Sequence, residues 1–317
     1  MDGKWRPRMR LPRRLLVVLT VEGDSMIHIG TSGWSYPTGE GRWDGVFYPS
    51  GRGADHLEFY SRYFDAVEIN SSFYRPPLPN VTRSWARKSP PQFHFTAKLY
   101  QKFTHPKMYE EATGEAALLK LEDFQRFQQG IEPLMEAGKL GALLAQFPPS
   151  FKRDEESVDH LEDLIHRFQG YPLAVELRHR SWTEDPQTFR LLESHGVAWC
   201  MIDEPKFRTS VGEVPLTSNL AYFRLHGRNA REWWTGDRES RYNYLYSAGE
   251  IGELVGEVRR ISEQTQESYV FYNNHYGAKA VVNALQMRLG LGQTVPVDLP
   301  ESLLRRYPEL KEALTSG

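Results

Sequence analysis

EIGELVGEVRRISEQTQESYVFYNN, residues 250–274, changes its hydrophobic period once. Ile251, Leu254, Val255, Val258 and Ile261 fall at i, i+3, i+4, i+7 and i+10, one apolar face of a helix. YVFYNN (269–274) then reads as a short strand. The same pairing recurs upstream. Leu57, Tyr60 and Phe64 carry a helical face ahead of the strand AVEIN (66–70). Leu161, Leu164, Ile165 and Phe168 do so ahead of LAVELR (173–178). Further strands read at IHIGTSG (27–33), FHFTAK (93–98), GALLAQF (141–147), AWCMID (198–203) and AYFRLH (221–226). Ala280, Val281, Ala284, Leu285 and Leu289 start a closing helix. Strands that alternate with helices pair in parallel, because a parallel neighbour needs a long crossover. Eight such units in about 250 residues predict an α/β fold, a TIM-like (β/α)8 barrel. The connection 204–220 shows no helical period, so the barrel is expected to be irregular around its sixth βα unit. The competing open doubly wound sheet wants a G-x-G-x-x-G turn, and the early glycine cluster GTSGW lacks that spacing.

The 317 residues carry a net charge of −2, which gives no electrostatic case for DNA as the main partner. The single cysteine, Cys200, excludes an internal disulfide and sits in an apolar run, so it reads as core. A reducing cytoplasm fits that usage. No segment is long and apolar enough for a transmembrane helix, so no membrane role is expected. Residues 1–26 hold six basic and three acidic groups around the short run LLVVL. They read as a disordered basic N-terminal extension rather than a secretory signal, since no small-x-small cleavage site follows. Residues 27–317 read as a single barrel domain with a C-terminal tail.

Barrel sites lie at the C-terminal ends of the strands. Those ends carry Trp34 and Tyr36 from the first strand, then Glu68, Asn70 and Tyr74, then Lys98 and Gln146. The fifth gives Glu176, Arg178 and His179, and the sixth Asp203. The seventh gives Arg224, His226 and Arg228, and the eighth Asn273, Asn274 and His275. Apolar runs that end so consistently in polar groups point to a pocket. Glu68 and Asn70 share a face, as do Glu176 and Arg178, and Arg224 and His226. Burying them without partners would be costly, so they pair with each other, with water or with a ligand.

The strings GTSGWSYP, VEINSSFYRPP, LLAQFPPSF, ELRHRSW, FRLHGR and FYNNHYGAKAVVNA, with W-x-G-x-F-Y-P from Trp43 to Pro49, resemble the YecE-like family, domain of unknown function 72. The likeness runs from about Ile27 to Leu291. It implies a TIM-barrel-like fold and a loose relation to sugar isomerases; the family's activity is not established.

Three chemistries fit these residues. An enzyme acting on a sugar or sugar phosphate needs a base beside a carbonyl, with Glu68 or Glu176 as candidates, and a stabiliser such as His226, Arg224 or a metal. Glu68, Glu176, Asp203 and His226 have the donor types for a divalent metal ion as cofactor. Arg178, Arg224 and Arg228 suit a small anionic or sugar-like partner. Lys98 is a possible Schiff-base residue or a charge partner for the carboxylates. A glycoside hydrolase would use Glu68 and Glu176 as a carboxyl pair. Non-catalytic binding of single-stranded nucleic acid is the third reading, because aromatics and arginines interleave between 228 and 246, including Trp233 and Trp234.

Overall fold

Each of the eight β-rich runs forms a strand: β1 Met26–Ser32, β2 Ala66–Ile69, β3 His94–Lys98, β4 Leu140–Gln146, β5 Leu173–Glu176, β6 Ala198–Asp203, β7 Leu220–Leu225 and β8 Glu267–Tyr272. The structure is a computed structural model that describes residues 25–51, 55–231 and 241–316. The basic extension up to residue 24 and the Trp233–Trp234 pair lie outside the described residues. The strands pair in parallel in chain order, and β1 closes on β8 from Met26↔Glu267 to Thr31↔Tyr272. This is the TIM-like (β/α)8 barrel that the alternation predicts.

Some outer helices begin where side chains satisfy their free N–H groups. Asp154 caps the helix Glu155–Arg167 through Ser157 N at 2.8 Å. Ser247 and Glu250 form a capping box at the helix Ala248–Ser262, which buries Ile251, Leu254, Val255, Val258 and Ile261. Those are the residues whose spacing predicts it. No helix among the described residues is long and apolar enough to cross a membrane.

Two apolar layers result. The larger lies between strands and helices and includes Ile29, Val67, Phe95, Leu143, Val175, Phe223 and Val270. The smaller fills the barrel itself with Ala66, Ala142, Leu144, Ala174, Ala198, Cys200, Tyr222, Tyr269 and Phe271. Alanines at four of these positions leave room for three large rings. Phe271 lies 5.5 Å from Tyr222 and 6.1 Å from Tyr269, centroid to centroid. Gly141 makes the same allowance, since a Cβ there would sit 2.4 Å from the Tyr269 hydroxyl oxygen.

The sixth unit is irregular as expected: residues 204–219 contain no helix. Thr217 from that loop stands in for missing ladder bonds. Its Oγ1 accepts from Trp199 N at 2.8 Å and donates to Val197 O at 2.7 Å. The uncovered flank holds a cavity of about 660 Å³ between Trp199, Val211, Val214 and Ile261.

Candidate active site

Strand parity builds the mouth of the barrel. Glu68 follows Ala66 on the inner face of β2, Glu176 follows Ala174 on β5, and Arg224 follows Tyr222 on β7. The three charges meet in a fully buried ion triad. Arg224 donates from Nε to Glu68 Oε2 at 2.9 Å and from Nη2 to Glu68 Oε1 at 2.7 Å. Its Nη1 donates to Glu176 Oε2 at 2.6 Å and to Gln146 Oε1 at 3.2 Å. Tyr222 adds a 2.8 Å bond to Glu68 Oε2, and its own oxygen lies 2.8 Å from Thr96 Oγ1. Such a buried network is sustained only because its charges and lone pairs are so fully matched.

Arg178 extends the network upward. It donates from Nε to Glu176 Oε1 at 2.5 Å, and its Nη2 lies 3.1 Å from His226 Nε2. Burial alone would raise the Glu176 carboxyl; Arg178 and Arg224 overturn it and hold the group well below the carboxylate range. Burial, then Arg178 and Arg224, push His226 well below its usual value, so its imidazole is neutral. A guanidinium N–H facing Nε2 needs a lone pair there, which puts the ring proton on Nδ1. Asn273 Nδ2 lies 3.0 Å from Nδ1; exchanging the two ends of that amide would set its oxygen to accept the proton.

Two titratable groups stand beside this network without being absorbed by it. Lys98, on the inner face of β3, is half-buried, with Nζ 4.4 Å above the Phe73 ring. Burial first, then Arg224, bring its pKa down to about 7, against the opposing pull of Glu68 and Glu176. Its Nζ makes no hydrogen bond to any described residue, while its carbonyl accepts from Ser72 Oγ at 2.7 Å. Glu204 is 6% exposed, and burial raises its carboxyl. Its Oε2 lies 3.4 Å from Arg178 Nη1 but accepts no hydrogen bond.

The rim is aromatic and polar. Tyr36 stacks on His275 at 4.5 Å and 11°, and burial lowers His275 to about 4. Tyr74 is 53% exposed. Asn70 Oδ1 and Ser32 Oγ, on adjoining strand ends, are buried and have no hydrogen-bond partner among the described residues.

Other candidates lie elsewhere. Asp203 faces outward, where it accepts three bonds of 2.7–3.0 Å from Arg228 and one of 2.7 Å from Tyr246. Arg228 is further held by Glu250 at 3.3 Å. His179 caps the short 3-10 helix Arg180–Trp182 by accepting from Ser181 N at 3.2 Å. Asn274 donates to Tyr244 O and Asn283 Oδ1, both at 2.8 Å, behind the sheet. Trp34 packs on Trp85 and Phe95 outside the barrel. The metal set Glu68, Glu176, Asp203 and His226 therefore does not converge: the Arg224 guanidinium bridges the two glutamates and Asp203 is on the other face. Sequence reasoning missed Glu204. The signal was parity: Cys200, Ile202 and Glu204 share a face of β6 and its extension, whereas Asp203 belongs to the opposite one.

The comparisons with known proteins agree with this architecture. A family model described as protein of unknown function DUF72 matches residues 28–304. The UPF0759 protein YunF of Bacillus subtilis is 31% identical over 275 residues, which cover 83% of this chain and 93% of YunF. The UPF0759 protein YecE of Escherichia coli is 29% identical over 184 residues, 56% of this chain and 59% of YecE. A solved DUF72 family protein of Thermotoga maritima superposes with a TM-score of 0.71 at 38% identity, covering 84% of this chain and all (100%) of that one. One of Enterococcus faecalis gives 0.74 at 30% identity, over 86% and 97% of the two chains. On fold, ordered motifs and extent of match, the chain belongs to the DUF72 family.

Proposed function

We propose that the chain is an enzyme doing acid–base chemistry on a small sugar-like carbonyl compound at the barrel mouth, with Lys98 and Glu204 as its proton carriers. The observation that carries this reading is Lys98. A half-buried amine with a pKa near 7, its Nζ without a hydrogen-bond partner among the described residues, is poised both to take and to give a proton at neutral pH. Glu204, raised by burial, is the complementary carboxyl. In the proposed step the Lys98 amine removes the proton from the carbon beside a carbonyl. Glu204 gives its proton to the carbonyl oxygen, which forms an enediol. Return of a proton from Lys98 to the neighbouring carbon, with the hydroxyl proton passing back to Glu204, completes an isomerisation. The unpartnered acceptors Asn70 Oδ1 and Ser32 Oγ suit substrate hydroxyls. Glu68 and Glu176 serve as the charged floor, because both grip one guanidinium. That commitment weighs against their use as a glycosidase pair, which must flank a bond. It also weighs against a phosphate clamp, since Arg178, Arg224 and Arg228 each already hold a carboxylate.

The test is proton exchange in D2O, read by NMR over a panel of aldoses and ketoses with and without phosphate. Wild-type protein is expected to exchange the C–H beside the carbonyl of at least one sugar. Lys98→Met and Glu204→Gln should each slow it by about 100-fold or more, the usual worth of a general acid or base. Exchange that survives Lys98→Met, or a folded wild type inert across the panel, would sink the proposal.

A further inference from the structure

The opposite end of the barrel holds a second cluster. His28 is the third residue of β1, His94 the first of β3 and Glu267 the first of β8, so all three lie at the N-terminal end. One nitrogen or oxygen from each comes within 4.8 Å of the other two. The His28 and His94 rings stack at 4.3 Å and 27°. His28 is only 8% exposed, yet neither of its ring nitrogens has a hydrogen-bond partner among the described residues. An imidazole buried with both nitrogens idle is costly, and such groups usually answer to something the protein binds.

We infer that His28, His94 and Glu267 form a zinc-type divalent metal site that clamps the base of the barrel. Two imidazoles and one carboxylate are the donor set zinc favours, with a fourth position left for water. Around such an ion, bonds of about 2.0–2.2 Å place tetrahedral ligands roughly 3.3 Å apart. The donors, within 4.8 Å of one another, would have to draw together on binding, and Glu267 is only half-buried. Two of the donors are already oriented by one phenol: the Tyr269 hydroxyl lies 2.6 Å from His94 Nδ1 and 3.2 Å from Glu267 Oε2. Outer partners of this kind steer metal ligands. The neighbouring charges are otherwise engaged. Asp65 accepts from Ile29 N at 2.9 Å and pairs with Arg288 at 3.4 Å, and Lys139 donates to Ala86 O and Ser89 O at 2.7 Å. Because β1 and β8 form the closing seam, an ion there ties first and last strands to β3 across the barrel axis. The site is independent of the chemistry proposed at the mouth.

The experiment uses the untagged full-length chain, stripped with a chelator and dialysed. Cobalt(II) is titrated in and followed by its visible absorption, then displaced with zinc, and the melting temperature is read with and without zinc. One equivalent of cobalt with an intense tetrahedral spectrum, zinc displacement and a higher melting temperature are expected. His94→Gln and Glu267→Gln, both at half-buried positions, should each weaken binding at least about 10-fold, the lower end of what even outer partners contribute. His28→Asn should abolish it; if that variant fails to fold, the other two decide. Glu204→Gln, at the other end, should bind as wild type. Absence of saturable cobalt binding, or binding unchanged in His94→Gln and Glu267→Gln, would overturn the assignment.

Discussion

Arg224 shows how much one residue can hold. Its guanidinium bridges two glutamates that are 0% exposed. Arg224→Met would leave Glu68 buried without its cation and Glu176 with Arg178 alone, at a cost of about 3–5 kcal/mol. Urea unfolding should show it as a lowered midpoint; a midpoint within error of wild type would mean that the triad is not formed in solution. Lys98 makes a pH-dependent prediction. Its pKa is lowered, so the neutral amine dominates as pH rises past about 7, whereas an ordinary lysine waits for about 10.4. Acylation of Lys98, mapped by mass spectrometry, should rise through pH 7 and then level, while surface lysines keep rising. A Lys98 that tracks the surface lysines would be an ordinary cation. At this scale the sequence was legible wherever a strand's inner face could be read. Glu68, Glu176, Arg224 and His226 follow from residues two positions apart on one face. It misled at β6, where the eye took the last polar residue of the run, Asp203, and not the inner Glu204.

At the scale of elements, the strands and the helices Glu155–Arg167, Ala248–Ser262 and Lys279–Gly290 were readable, because burial of one face imposes a period, whereas the helix Leu121–Glu136 was not read. The bare 204–219 connection was readable for the same reason, as a lack of period. Less legible was what the inner faces must accommodate. Nothing local to GALLAQF says that its first glycine exists for a tyrosine on β8. Gly141→Ala puts a methyl 2.4 Å from the Tyr269 oxygen, a rigid ring end hemmed in by His28 and His94. Overpacking of that kind costs typically about 1–3 kcal/mol. A loss in that range is expected by chemical denaturation, and no loss would mean that the ring moves aside freely.

Across the whole molecule, closure of eight parallel strands was predictable from their number and from the crossovers, and the family motifs carried the same answer. The two ends were not equally predictable. The mouth announces itself as polar groups where apolar runs stop. The base is built from His28, His94 and Glu267, whose positions 66 and 173 residues apart meet only when the barrel closes.

Between those ends lie the rings of Tyr222, Tyr269 and Phe271, packed against alanines. They act as an insulating septum. A layer packed so leaves no open path for water or ions between the two ends. The barrel thus behaves as two vessels sharing a wall. Free-energy changes from Glu204→Gln and His94→Gln, measured singly and together, should therefore add within about 0.5 kcal/mol. A larger discrepancy would mean that the septum transmits, and that what binds at one end can govern the other.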